Sequence, residues 1–120
     1  MKPYILIIED EEDIRESLRD VLEQEGYLVM TANSGKNAIE VLEVSPKFNL
    51  ILLDLMMPVM SGEEFVAINK IRNITQGTPI VIMSADNQTA QRAAKMDIKT
   101  FVKKPLDLDD LLRIIKESCR

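Results

Sequence analysis

The chain has 120 residues, which is long enough for one domain with a buried core and too short for two. Hydrophobic residues make up 46% of the chain and charged residues 29%, a composition typical of a globular domain. Its net charge of -5 at pH 7 argues against direct binding to nucleic acid or an anionic membrane as the main activity, because both surfaces would repel it. One cysteine excludes an internal disulfide, and no apolar run approaches the roughly 20 residues of a membrane span. The N-terminal region does not resemble an export signal, so we expect the protein to be located in the cytoplasm. The length predicts a single domain over residues 1–120.

Five short segments are predicted to be β-strands. In chain order they are residues 4–8 (YILII), 28–32 (LVMTA), 50–54 (LILLD), 79–83 (PIVIM) and 100–104 (TFVKK). Three of these segments are apolar enough to be buried on both faces, which is typical of strands in a parallel sheet.

The segments between and after the strands have helical periodicity. The predicted helices lie within residues 14–22, 36–44, 61–71, 90–96 and 108–115. Ser61 and Glu64 have the spacing of a capping box at the start of the third helix. Because strands and helices alternate about five times, the sequence predicts an α/β fold with a parallel sheet and right-handed crossovers.

Polar residues occur at the ends of four predicted strands. Glu9 and Asp10 follow the first strand, Asp54 ends the third, Ser84 follows the fourth and Lys104 ends the fifth. Ligands of an open parallel sheet bind beyond the carboxyl ends of its strands, so we expect these side chains to meet at one edge. Each has an ordinary explanation on its own, such as acidic residues suited to a helix N-terminus, but matched chemistry at four strand ends favours a shared site.

Three carboxylates at one edge of the sheet require a bound cation or a retained proton. Two like charges about 4 Å apart repel by about 4 kcal/mol at an effective dielectric constant of about 20. Mg2+ prefers oxygen ligands, so we predict Asp10 and Asp54 as direct ligands, with Glu9 acting mainly through water. Lys104 would face a phosphate oxygen and the Ser84 hydroxyl would complete the phosphoryl site, which leaves Asp54 as the nucleophile.

Four segments together resemble a known family. ILIIEDEEDIRESL, LILLDLMMPVMSG, PIVIMSA and FVKKPLDLDDLL have the order and spacing of the response-regulator receiver domain of two-component signalling, and the resemblance covers essentially the whole chain. It implies a flavodoxin-like (βα)5 doubly wound parallel sheet with strand order 2-1-3-4-5. It also implies Asp54 as the phospho-acceptor, Glu9 and Asp10 as the acidic pair for Mg2+, and Met56 as a metal ligand through its backbone carbonyl.

The same resemblance implies roles for the fourth and fifth strands. Ser84 would be the switch hydroxyl, and Phe101 occupies the aromatic switch position. Lys104, rather than Lys103, would be the phosphate-binding lysine because it directly precedes Pro105.

The sequence departs from the family pattern at three positions. Glu9 stands where aspartate is more usual, Phe101 lacks the hydroxyl of tyrosine, and Asp97 replaces a frequent glycine before the fifth strand. None of them is the acceptor. Pro58 and Gly62 are predicted to shape the loop that follows Asp54.

The resemblance implies that Asp54 accepts a phosphoryl group, with Mg2+ as cofactor, from a phosphohistidine on a sensor histidine kinase or histidine phosphotransfer protein. The partner must supply the donor, because the sequence has no histidine and no P-loop. The domain would catalyse its own phosphorylation and dephosphorylation, but it would act primarily as a switch for a downstream protein target or output domain.

Phosphorylation is predicted to draw Ser84 toward the phosphoryl group and to let the Phe101 ring move inward from a partly exposed position. The surface that a partner reads would then consist of residues 90–96, the fifth strand and the last helix, and we call it the readout surface. Three cations on this surface are predicted to meet an acidic partner: Arg92, Lys99 and Lys103.

Other functions fit the residues less well. A flavin-binding flavodoxin needs a phosphate-cradling loop after its first strand, but residues 9–13 are all acidic here. An aspartate-nucleophile phosphatase commonly has a second aspartate two residues after the first, where this chain has Met56. The remaining alternative is a phosphorylation-independent protein-interaction module.

Overall fold

The computed structural model describes residues 3–57 and 60–119. Strands and helices alternate throughout, in the order β1 (Tyr4–Ile8), α1 (Glu12–Gln24), β2 (Leu28–Ala32), α2 (Gly35–Val44), β3 (Leu50–Asp54), α3 (Gly62–Arg72), β4 (Ile80–Ser84), α4 (Thr89–Lys95), β5 (Phe101–Lys103) and α5 (Leu108–Ser118). None of the helices in these two ranges is long and apolar enough to cross a membrane.

The five strands form one parallel sheet with the order β2-β1-β3-β4-β5, as predicted. β1, β2 and β3 have the predicted bounds. β4 begins after Pro79, which has no N–H to donate and contributes only its carbonyl, accepting from Ile51 N at 3.0 Å. β5 is shorter than predicted, although Lys104 N still donates to Ser84 O at 2.9 Å and continues the pairing beyond the strand.

Helices cover both faces of the sheet, which explains why its central strands are so apolar. In β1, Ile5 and Ile7 pack in one cluster with residues of α1 and α5, whereas Leu6 and Ile8 pack in a second cluster with residues of α2, α3 and α4. All residues of β3 are buried. The carboxyl end of β3 is therefore the point at which a buried strand first reaches polar surroundings.

The backbone before β5 contains the substituted glycine position. Asp97 has a φ of 59°, in the left-handed region that glycine adopts most easily. Aspartate is one of the few other residues that tolerate this region, so the left-handed conformation is retained without the glycine.

The start of α3 is fixed close to the end of β3. The predicted capping box is confirmed, since Ser61 Oγ accepts from Glu64 N at 3.1 Å and Glu64 Oε1 accepts from Ser61 N at 3.4 Å. Gly62 N donates to Leu55 O at 3.1 Å. A Cβ at Gly62 would lie 2.8 Å from Asp54 O, so this position requires glycine for close backbone approach. Pro58 lies outside the described residues.

Gly62→Ala should destabilise the fold by about 1 to 3 kcal/mol, because the new methyl group would overlap backbone atoms that cannot move independently. Gly35→Ala is the matched control, since Gly35 also begins a helix and a Cβ at that position would overlap only the flexible Met60 side chain. Urea unfolding of both variants measures the difference. Equal losses would contradict a backbone-specific constraint at Gly62.

Candidate functional site

Three carboxylates converge at the carboxyl edge of the sheet. Glu9 follows β1 and is fully buried, Asp54 ends β3 with 2% of its surface exposed, and Asp10 is half-buried. Each offers one carboxylate oxygen, and these atoms lie within 4.8 Å of one another. The three residues therefore lie together in space, as their positions at the strand ends predicted.

Lys104 supplies the positive charge of this cluster. Its Nζ donates to Glu9 Oε1 at 2.6 Å and lies 3.5 Å from Asp54 Oδ1. Its side chain is 15% exposed, whereas the neighbouring Lys103 is exposed to solvent. The peptide bond between Lys104 and Pro105 is cis.

The surroundings of Asp54 raise its pKa well above that of an ordinary aspartate. Burial raises the pKa of Asp54, and interaction with the Glu9 carboxyl raises it further. Lys104 and the Met56 N–H, which donates to Asp54 Oδ1 at 3.2 Å, lower it again, and the resulting pKa is about 7. Burial alone lowers the pKa of Lys104, but the hydrogen bond to Glu9 and the charges of Asp54 and Glu9 outweigh it, so that pKa is raised.

The donor set fits a hard divalent cation. Carboxylate oxygens are the ligands that Mg2+ prefers, and the excess negative charge of three carboxylates against one lysine favours a cation. Both oxygens of Glu9 already accept hydrogen bonds, from Lys104 Nζ and, at 3.2 Å, from Glu11 N. Met56 lies two residues after Asp54, and 61% of its surface is exposed.

Ser84 is fully buried at the end of β4. Its Oγ accepts a hydrogen bond from Asp86 N at 3.0 Å, so the hydroxyl is tied to the loop that follows it. Asp86 in turn accepts from Gln88 N through Oδ1 at 2.8 Å, and its backbone carbonyl accepts from Thr89. Ser84 is thus held by a structured loop.

The predicted readout surface needs one correction. Phe101 is partly buried and packs against the core cluster that contains Phe65, and Lys99 and Lys103 are exposed. Arg92, however, has a side chain that is only 19% exposed and forms ion pairs with Glu63 and Asp86. The prediction that Arg92 is available to an acidic partner is therefore wrong.

The sequence did not predict the cluster that Arg92 forms with Glu63 and Asp86. Glu63 lies 29 residues before Arg92 and belongs to another helix, so no local spacing connects them. Asp86 lies two residues after Ser84, and Arg92 lies six residues after Asp86. Charged residues with these spacings are common in polar loops and helices, so the spacing does not predict an ion pair.

Known proteins are similar to this chain in both sequence and fold. The family model described as the response regulator receiver domain matches residues 5–116. The chain belongs to the response regulator receiver family. The flavodoxin-like fold is confirmed by the chemotaxis protein CheY4 of Vibrio cholerae, whose solved structure superposes with a TM-score of 0.87 at 26% identity over 98% of this chain and 99% of that one.

Curated relatives of this receiver are longer proteins. The transcriptional regulatory protein CrdR of Helicobacter pylori is 38% identical over 97% of this chain and 54% of its own length. The response regulator ArlR of Staphylococcus aureus is 36% identical over 97% of this chain and 52% of its own length. The chain thus spans about half the length of these relatives.

A similar response regulator has also been solved with Mg2+ and BeF bound. The response regulator TrrA of Thermotoga maritima, in complex with Mg2+ and BeF, superposes with a TM-score of 0.84 at 30% identity over 98% of this chain and 99% of that one. Membership of this family favours a two-component receiver over the phosphorylation-independent interaction module.

Proposed function

We propose that this receiver accepts a phosphoryl group on Asp54. One observation supports it most: a carboxylate that is 2% exposed at the end of a buried strand, with a lysine 3.5 Å away and two further carboxylates within 4.8 Å. A purely structural role gives no reason for this concentration of buried charge, which is costly to desolvate.

The metal of the proposed site is Mg2+. Asp10, Asp54 and the Met56 backbone carbonyl would hold it, and Glu9 would act mainly through water because both its carboxylate oxygens have partners. Bound Mg2+ would neutralise charge on the phosphoryl oxygens and on the carboxylates. The Mg2+ complex of TrrA supports this assignment.

The chain's own residues perform the transfer. An Asp54 oxygen forms a bond to phosphorus while the phosphorus–nitrogen bond of the partner's phosphohistidine breaks, and the electron pair of that bond returns to the imidazole. Glu9 holds the Lys104 ammonium in place through one donor, which leaves its other two donors for phosphoryl oxygens. The Ser84 hydroxyl donates to a phosphoryl oxygen after transfer, and water later hydrolyses the aspartyl phosphate.

The proposed partners are a sensor histidine kinase or a histidine phosphotransfer protein as donor, and a protein target or output domain downstream. Since CrdR is a transcriptional regulatory protein of about twice the matched length, an attached output domain is one form this target would take. We further propose that residues 1–120 act as one receiver domain, in the cytoplasm.

Incubation with Mg2+ and acetyl phosphate should add one phosphoryl group to the chain, and Asp54→Asn should abolish the addition. Intact mass spectrometry detects the product, and hydroxylamine should release the label from an acyl phosphate. Asp13→Asn is the matched control, because Asp13 is an exposed acid nearby that should not affect labelling. Equal labelling of Asp54→Asn and the unmodified chain would exclude Asp54 as the acceptor.

A further inference from the structure

Arg92 connects three separate parts of the structure. From α4, its Nε donates to Glu63 Oε2 on α3 at 2.9 Å and its Nη2 donates to Glu63 Oε1. Its Nη1 donates to Asp86 Oδ2 in the β4–α4 loop at 2.5 Å. The Arg92 side chain is 19% exposed and those of Glu63 and Asp86 are 39% and 31% exposed, so these ion pairs are partly shielded from water.

The pairing shifts the pKa values of all three groups in the direction that favours their charged forms. The hydrogen bond from Arg92 lowers the pKa of Glu63. The N–H of Gln88 and then Arg92 lower the pKa of Asp86, and Glu63 followed by Asp86 raises that of Arg92 despite its burial. Forked hydrogen bonds between guanidinium and carboxylate are among the stronger contacts in proteins.

Asp86 links this cluster to the switch residue. Its N–H donates to Ser84 Oγ at 3.0 Å while its carboxylate is held by Arg92 and by Gln88 N. Movement of Ser84 toward Asp54 would therefore pull on a residue whose side chain is already fixed.

The other end of the cluster lies on an element that is itself anchored. Glu63 is the second residue of α3, directly after Gly62, whose N–H donates to Leu55 O at 3.1 Å. The capping box formed by Ser61 and Glu64 also fixes this turn. An anchored α3 gives Arg92 a rigid support against which the loop is held.

We infer that Arg92 is an ionic latch, which binds Asp86 to α3 and holds the loop after Ser84 in the conformation of the unphosphorylated receiver. Arg92 is thus a positioning residue that acts through Asp86 on Ser84. The inference rests on the proposed function, because it requires a phosphoryl group on Asp54 that draws Ser84 toward it. Releasing the latch should make the active conformation easier to reach and raise the affinity for the phosphoryl group.

The test compares beryllofluoride binding in the presence of Mg2+ by the full chain and by Arg92→Gln. Beryllofluoride stands in for the phosphoryl group, and Arg92→Gln should bind it roughly fivefold more tightly. In the variant without ligand, the NMR amide resonances of residues 85–88 should move along the line from the free to the bound receiver. A merely structural role would lower the melting temperature without moving resonances in that direction.

Two further variants keep the test independent of folding defects. Asp86→Asn removes the charge from the loop but retains an oxygen for Gln88 N, and it should have the same effect as Arg92→Gln. Arg72→Gln is the matched control, since Arg72 pairs with Glu43 at 3.4 Å between α3 and α2, away from Ser84. It should leave affinity and loop resonances unchanged.

Four results are distinguishable. Tighter binding and displaced resonances in both Arg92→Gln and Asp86→Asn, with Arg72→Gln unchanged, support the latch. Unchanged binding in either of the first two variants overturns it and leaves the proposed function intact. Weaker binding, with loss of the ligand-induced shift at Phe101, overturns it by showing that the ion pairs transmit the change instead of opposing it. Absence of beryllofluoride binding by the unmodified chain overturns the proposed function and the latch with it.

Discussion

Lys104→Met should lower the free energy of unfolding by about 3 to 5 kcal/mol near neutral pH. The substitution removes the ammonium that donates to Glu9 at 2.6 Å and lies 3.5 Å from Asp54, while both carboxylates stay buried. A buried charge that has lost its partner retains its desolvation cost without the compensating attraction. Urea denaturation followed by circular dichroism measures the loss.

Lys103→Met is a closely matched control, because it removes the same group from the adjacent residue. Lys103 is exposed, so its substitution should change stability by no more than about 0.5 kcal/mol. Adding Glu9→Gln to Lys104→Met should recover part of the loss, since one of the two unpaired carboxylates is then neutral. Similar losses in the Lys103 and Lys104 variants would contradict the buried ion pair.

Addition of Mg2+ should raise the melting temperature strongly at about pH 8 and weakly at about pH 5. The pKa of Asp54 is raised from 3.8 to about 7 in the native state, so this group favours folding most at low pH. That contribution is lost as the pH rises through about 7, where the native carboxylate becomes charged. Mg2+ would bind the charged form of the proposed site in the native state, and a shift of about 5 °C is expected when that site is nearly saturated.

Asp54→Asn tests the origin of this pH dependence. Without metal, the variant should be more stable than the unmodified receiver at about pH 8, because it places no third negative charge beside Glu9 and Asp10. It should also lose most of the Mg2+ effect. Differential scanning fluorimetry at the two pH values, with EDTA as the metal-free reference, measures both results. A Mg2+ shift of equal size at the two pH values would exclude the Asp54 titration as its cause.

Much of this fold was predictable because its strands are short, apolar and separated by helical periodicity. The bounds of β1, β2 and β3 were predicted correctly, and those of β4 and β5 differ by a residue at their ends. Side chains at the carboxyl ends of parallel strands were expected to meet at one edge of the sheet. Glu9, Asp54 and Lys104 do so, although they are distant in sequence. In a parallel sheet the carboxyl ends of all strands lie at the same edge, so residues at those ends can be predicted to lie close together.

Side-chain pairing between helices was not predictable in the same way. Arg92 was expected to meet an acidic partner as part of the readout surface, but in the structure it pairs with Glu63 and Asp86 of the same chain. The direction of a long flexible side chain depends on which partners the tertiary fold places within reach.

The hydrogen bond from Lys104 to Glu9 joins residues 95 positions apart in the sequence. During synthesis, Glu9 and Asp54 leave the ribosome long before Lys104, so a nascent chain has its acidic residues without their counter-charge. The site cannot assemble until β5 has been made and has docked beside β4. A partly synthesised chain that lacks β5 would therefore also lack the Lys104 ammonium beside Glu9 and Asp54.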